Sequence, residues 1–197
     1  MMLVKIFDVV VAILGLIVFL VTYPIIAIAI RIDSPGPVIY SQKRVGLRGR
    51  VFTFYKYRSM SHEGHQPYET PKLDHHHFKT FVFVTPASRL TRVGRFLRAT
   101  SLDELPNFWN VLKGDMRLVG PRPEIPELVH QYPPEYHRRH DVKPGITGLA
   151  QVSGRADLTY EETMTYDLDY VNNHSLARDL AILWKTLPAV ITRKGAR

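Results

Sequence analysis

The chain has no cysteine, which excludes disulfides, thiolate nucleophiles and cysteine-ligated zinc. Any covalent catalysis must therefore use another nucleophile. It also lacks an internal repeat, and its 197 residues are enough for one ordinary globular core. Acids are the minority charge, 18 against 26 lysines and arginines, for a formal net charge of +8 and a pI near 9.8. That balance implies an anionic partner, and phosphates on nucleic acid, lipid headgroups or a nucleotide all satisfy it. Of the nine histidines, His75 to His77 are consecutive. Adjacent side chains rarely converge on one ion, so they are read as part of a solvated loop.

Charge is missing altogether from Val9 to Ile30, "VVVAILGLIVFLVTYPIIAIAI". The run exceeds the roughly 20 residues that cross a bilayer as a helix. It is also longer than the apolar part of a cleavable signal peptide, about 7–15 residues. A membrane segment is expected. Pro24 lies inside it, where the missing N–H and the ring disturb the bond to the Leu20 carbonyl, and the Thr22 hydroxyl is placed to satisfy freed backbone groups. Local physics favours a kinked spanning helix. Lys5 precedes the segment, however, and Arg31, Lys43, Arg44, Arg48 and Arg50 follow it, so cations on both flanks favour a helix that bends at Tyr23-Pro24 and returns to the cytoplasmic side. The expected organisation is a re-entrant helix over 1–33 and a cytoplasmic, membrane-associated body over 34–197, with a poorly patterned insertion at 61–87.

Within that body, "GPVIYSQKRVG" and "RVFTFYKYRSM" read as two strands of a hairpin turning at Gly46 to Gly49. Tyr40, Phe52, Phe54 and Tyr57 are assigned to ordinary packing. Leu102, Leu105, Phe108, Trp109 and Leu112 recur at helical spacing, as do Leu176, Leu180, Leu183, Leu187 and Ile191, with Pro188 bending or ending the last helix. Trp109 and Trp184, with Lys113, Lys185, Arg193 and Lys194 nearby, leave both faces open between a buried core and the lipid interface. Thr159 and Glu162 form a capping box ahead of a third helix. The fold class expected is α+β, mainly helical with a small β-hairpin and with interfacial amphipathic helices.

The adjacent acids of "SLDELP" are the chemical question. Ser101 and Glu104 match a capping box, and carboxylates suit the positive end of a helix dipole, so helix physics alone favours a cap. Their neighbours point to chemistry. Arg89, Arg92, Arg95 and Arg98 precede the pair, and Arg122 sits between two prolines in "GPRPE", a stiff mounting for a fork that matches two phosphate oxygens. Paired carboxylates can hold a hard divalent cation, typically magnesium where phosphates supply further ligands.

With those residues in view, the chain resembles the bacterial sugar transferases, also called small monotopic phosphoglycosyl transferases. The block "RLTRVGRFLRATSLDELPNFWNVLKGDMRLVGPRPE" looks like that family's signature, as do "SQKRVG", "KYRSM" and "KPGITGLAQVSGR". The likeness spans nearly the whole chain. It implies a transferase of substituted phosphate groups on the cytoplasmic face of the bacterial inner membrane, moving a sugar phosphate from a UDP-sugar to undecaprenyl phosphate, releasing UMP and initiating polysaccharide biosynthesis. Magnesium is the implied cofactor, and no nucleic acid is expected as partner. By motif, Asp103 would be the nucleophile that forms a covalent phosphosugar intermediate, and Glu104 a magnesium ligand or a base. Arg98 and Arg122 match phosphate-binding positions, with Lys56, Arg58 and Arg44 as weaker candidates. The family commonly has Ser-Pro at the membrane break, where this chain has Tyr23-Pro24. A membrane-anchored basic protein that binds nucleic acid or acidic lipid is the alternative, and it would be indifferent to loss of both acids.

Overall fold

A computed structural model describes residues 2–61, 80–82 and 87–191. The histidine run and most of the insertion lie outside the described residues.

The apolar segment forms α1, Met2–Asp33, a helix of 32 residues that includes Pro24. Most of its large side chains are exposed, and its buried residues are Asp8, Ala12 and Ile30. A helix with apolar residues on every side needs an apolar surround, and the protein covers only one side of this one. Gly15 lies on the covered side: a Cβ there would sit 2.4 Å from the Phe108 ring. The Thr22 hydroxyl donates to the Val18 carbonyl at 2.8 Å and also reaches Phe19, rather than taking up the carbonyl facing Pro24. A helical threonine reaches back three or four residues, and Leu20 is only two away.

Strands β1 (Ile39–Val45) and β2 (Val51–Tyr57) pair antiparallel with Val45 opposite Val51, and Gly46 to Gly49 make the expected turn. Phe52, Phe54 and Tyr57 are buried as expected, and Tyr40 lies under the Lys56 ammonium. Tyr23, the residue before Pro24, stacks on Tyr57 with ring centroids 6.3 Å apart. The α2 helix (Arg92–Ala99) is capped by Thr91 and packs closely on Ser59 at Gly94.

The expected helix across 102–112 is divided. Leu102–Asn107 is a 3₁₀ turn, and α3 spans Phe108–Lys113. Pro106 has no N–H to return to the Leu102 carbonyl, so an unbroken α-helical ladder cannot form through it. Beyond α3, β3 (Arg117–Val119) pairs in parallel with β4 (Gly145–Thr147). Between these strands are the short α4 (Pro126–Val129) and a 3₁₀ segment over Pro134–Asp141. After β4 come α5 (Leu149–Ser153), α6 (Tyr160–Asn173) and α7 (Leu176–Ile191). The Thr159–Glu162 capping box starts α6 as read from the sequence.

Pro188 stands inside α7 and does not end it. The expected leucine face is largely turned outward: Leu176, Leu180, Trp184 and Leu187 are exposed, and Asp179 and Ile182 are buried against the body. Phe96, Trp109 and Leu112 add to the exposed apolar surface. Arg117 joins three elements at the base of this arrangement, contacting Asp8 of α1 at 2.9 Å and Asp179 of α7 at 2.7 Å.

Candidate active site

The 3₁₀ turn and its neighbours bring distant residues around the acid pair. Lys56 comes from β2, Arg98 from α2, Arg44 from β1 and Arg122 from the loop after β3. The turn carries Asp103, 6 % exposed, and Glu104. Arg122 lies 2.7 Å from Glu104 Oε1, and the Asn107 amide donates to Oε2 at 3.1 Å. Arg44 pairs with Glu124 at 3.6 Å and donates to the Pro123 carbonyl, which ties β1 to the Arg122 loop. The Arg98 Nε donates to Ser59 Oγ at 3.1 Å.

Ser101 does not cap. Its backbone is left-handed, with φ of 56°, and its side chain makes no capping bond. Glu104 turns to Arg122 and Asn107 instead of reaching back, because a charged partner outcompetes a backbone N–H. The positive helix end that suits carboxylates is not what sets the charge of Asp103. Burial and the neighbouring Glu104 push the Asp103 carboxyl up to about 6, against the pull of Lys56, Arg98 and Arg122. It is these cations that leave it largely an anion at neutral pH. Burial would also raise Glu104, but Arg122, Lys56 and Asn107 hold it below its ordinary range. Lys56 is brought down to about 8, chiefly by burial and then by Arg98.

Arg58 does not join this cluster. It is 2 % exposed and donates to the carbonyls of Ile30, Ser34 and Pro35, so its charge serves the carboxyl end of α1. Tyr23 and Pro24 lie in α1. Sequence reasoning gave no role to Arg139, which is fully buried and donates to Tyr132, to Asp167 and, at 2.8 Å, to the Arg122 carbonyl. It also gave none to Arg155, whose guanidinium is electrostatically coupled to Arg122, Glu104 and Asp103. The signal for Arg155 was its place at the end of "VSGR".

A divalent cation fits the donor set. Asp103 and Glu104 repel one another, which a cation would relieve. The buried Asn107 Oδ1 beside them has no hydrogen-bond partner among the described residues. No cluster of three His, Asp or Glu residues suited to a metal occurs among the described residues, so substrate oxygens and water would have to supply the remaining ligands.

Comparison with known proteins identifies the family. The family model for bacterial sugar transferases matches residues 1–193. The chain is 42% identical over 192 residues to the galactosyl transferase CpsE of Streptococcus agalactiae, covering 96% of this chain and 42% of that protein. It is 42% identical over 165 residues to the undecaprenyl-phosphate galactose phosphotransferase of Salmonella typhimurium, covering 82% of this chain and 35% of that protein. With the UDP-glucose:undecaprenyl-phosphate glucose-1-phosphate transferase of Caulobacter vibrioides it shares 39% identity over 202 residues, covering 98% of this chain and 71% of that protein. The chain thus spans less than half the length of the first two relatives and most of the third. It belongs to the bacterial sugar transferase family.

Proposed function

We propose that the protein transfers a sugar phosphate from a nucleoside diphosphate sugar to a polyprenol phosphate at the cytoplasmic face of the bacterial inner membrane, the first step of polysaccharide assembly. The observation that carries this reading is the buried carboxylate Asp103, ringed by Lys56, Arg98 and Arg122 and next to a Glu104 already committed to Arg122. Cations in excess of acids around a single nucleophilic carboxylate suit phosphoryl transfer, where charge builds on equatorial oxygens.

In the first step an Asp103 oxygen attacks the phosphorus that carries the sugar. The bond from that phosphorus to the bridging oxygen breaks, and the nucleoside monophosphate leaves with the electron pair. In the second step a polyprenol phosphate oxygen attacks the same phosphorus, giving the polyprenol diphosphate sugar and restoring the Asp103 carboxylate. Arg122 and Arg98 bind and orient phosphate oxygens, and Lys56 supplies further positive charge. Magnesium, held by Asp103 and Glu104 with Asn107 beside them, would neutralise phosphate charge.

The lipid substrate requires the site to lie at the membrane, and the contacts of α1 support a re-entrant, monotopic arrangement. Asp8 near its start meets Arg117, and Asp33 at its end accepts the Val93 N–H at 2.8 Å. A helix crossing a hydrocarbon layer of about 30 Å would carry one of these ends away from the body. The outward leucine and tryptophan face of α7 and the exposed Phe96 and Trp109 offer further apolar surface to a membrane.

The printed names of relatives include galactose, glucose and N-acetylgalactosamine. The test is therefore release of uridine monophosphate from UDP-galactose, UDP-glucose and UDP-N-acetylgalactosamine by the full chain in detergent, with undecaprenyl phosphate present. Release from at least one supports the reading. No release from any, by protein that is folded, contradicts it.

A further inference from the structure

Three non-glycine residues adopt left-handed backbone conformations among the described residues: Arg48, Ser101 and Arg155. Arg48 belongs to the hairpin turn. The other two touch each other, the Arg155 guanidinium donating to Ser101 Oγ at 3.3 Å, although they are far apart in the chain. Their meeting point adjoins the turn that carries Asp103 and Glu104.

A left-handed conformation is costly for residues with a Cβ, and such strain persists where the surroundings enforce it. Gly154 immediately precedes Arg155, so glycine is available to this sequence at the neighbouring position. The one side-chain hydrogen bond of Arg155 among the described residues is the long bond to Ser101, and a guanidinium offers five N–H donors. By contrast, Arg122 is engaged by Glu104, Arg44 by Gln42, Pro123 and Glu124, and Arg98 by Ser59. Arg155 thus brings a half-buried fork with unused donors to the edge of the acid pair. Its charge falls in a site already rich in cations, which suits an incoming anion and is unfavourable without one: Arg122 lies among the groups that oppose its ionisation, after burial itself.

We propose that Arg155 is a further substrate-binding residue, whose guanidinium takes phosphate oxygens of a substrate bound beside Asp103, with Ser101 holding the fork in place. This rests on the transferase reading for the identity of the phosphate, which is either the diphosphate of the nucleotide sugar or the headgroup of the polyprenol phosphate.

Arg155→Gly separates binding from folding, because glycine adopts the left-handed conformation freely while losing the fork. The full chain in detergent is titrated with UDP and, separately, with undecaprenyl phosphate, and its melting temperature is recorded. The expected result is a melting temperature at or above wild type with affinity for at least one probe lowered roughly tenfold or more, the size of a lost charged hydrogen bond. The probe that weakens identifies the phosphate. Wild-type affinity for both in R155G overturns the proposal, as does a wild-type protein that binds neither. Should R155G melt well below wild type, Arg155→Lys decides: it keeps the charge without the fork, so normal melting with weakened binding supports the role and normal binding overturns it. Wild-type protein that binds UDP but releases no uridine monophosphate would sink the transferase reading while leaving the binding result standing.

Discussion

Arg122 and Glu104 meet at 2.7 Å across two separate elements, and this contact makes two adjacent acids unequal. Glu104 is held below its ordinary range, and Asp103, more buried and facing the Glu104 charge, is pushed up to about 6. Splitting a pair in this way is how neighbouring carboxyls come to serve different roles.

The split gives a pH dependence with a definite sign. In the proposed mechanism Asp103 attacks as the carboxylate, so kcat/KM is expected to rise with pH through about 6. Removing the like charge with Glu104→Gln moves this acid limb to lower pH. Removing a favourable cation with Lys56→Gln moves it to higher pH. The limb belongs to the coupled cluster, so shifts between variants in a pH–rate profile are the measurement, and a limb that ignores both substitutions contradicts the account.

Arg139 supports the Arg122 loop from below, where it and Asp167 form a fully buried pair at 2.5 Å. Arg139→Met leaves Asp167 without its cation and the Arg122 carbonyl without its donor. A loss of about 3–5 kcal/mol is expected in denaturant unfolding, as for other buried pairs broken on one side.

How far the site could be read from sequence follows from how local its causes are. The hairpin with its Gly46–Gly49 turn and the Thr159–Glu162 cap depend on neighbouring residues, and both form as read. The Ser101 cap was read from an equally local pattern, but a partner distant in sequence, Arg122, takes Glu104 away. The same limit hid the parallel β3–β4 pair, since three-residue strands leave no periodic signal. Arg58 and Arg155 show it for cations: charge and motif proximity suggested the first, which closes α1, and passed over the second, which lies at the acids. The outward turn of α7 follows from Asp179 and Ile182 anchoring its other side, a preference that only Arg117 and the core reveal.

Gly15 tests how tightly α1 rests on the body. A Cβ there meets the Phe108 ring between 2.4 and 2.6 Å, so Gly15→Ala is expected to cost about 1–3 kcal/mol as an overpacked contact. Combining it with Phe108→Ala should recover part of that cost. A double-mutant cycle on unfolding measures the coupling, and strict additivity would argue that the two residues do not touch.

Membrane topology is open to direct labelling because the chain has no cysteine of its own. With Asp8 bound to Arg117 of the body, a single cysteine placed near the amino terminus should resist a membrane-impermeant reagent supplied from the periplasm and react once the inner membrane is opened. Labelling from the periplasmic side in intact cells would show that α1 crosses.

The central claim is that Asp103 carries the phosphosugar. The direct measurement is mass spectrometry of the protein after brief exposure to a nucleotide sugar that it turns over, without polyprenol phosphate, followed by acid quench and peptide mapping. The account predicts a hexose- or N-acetylhexosamine-phosphate adduct on the peptide containing Asp103, absent in Asp103→Asn and lost when undecaprenyl phosphate is added. An unmodified Asp103 together with wild-type turnover by Asp103→Asn would contradict it.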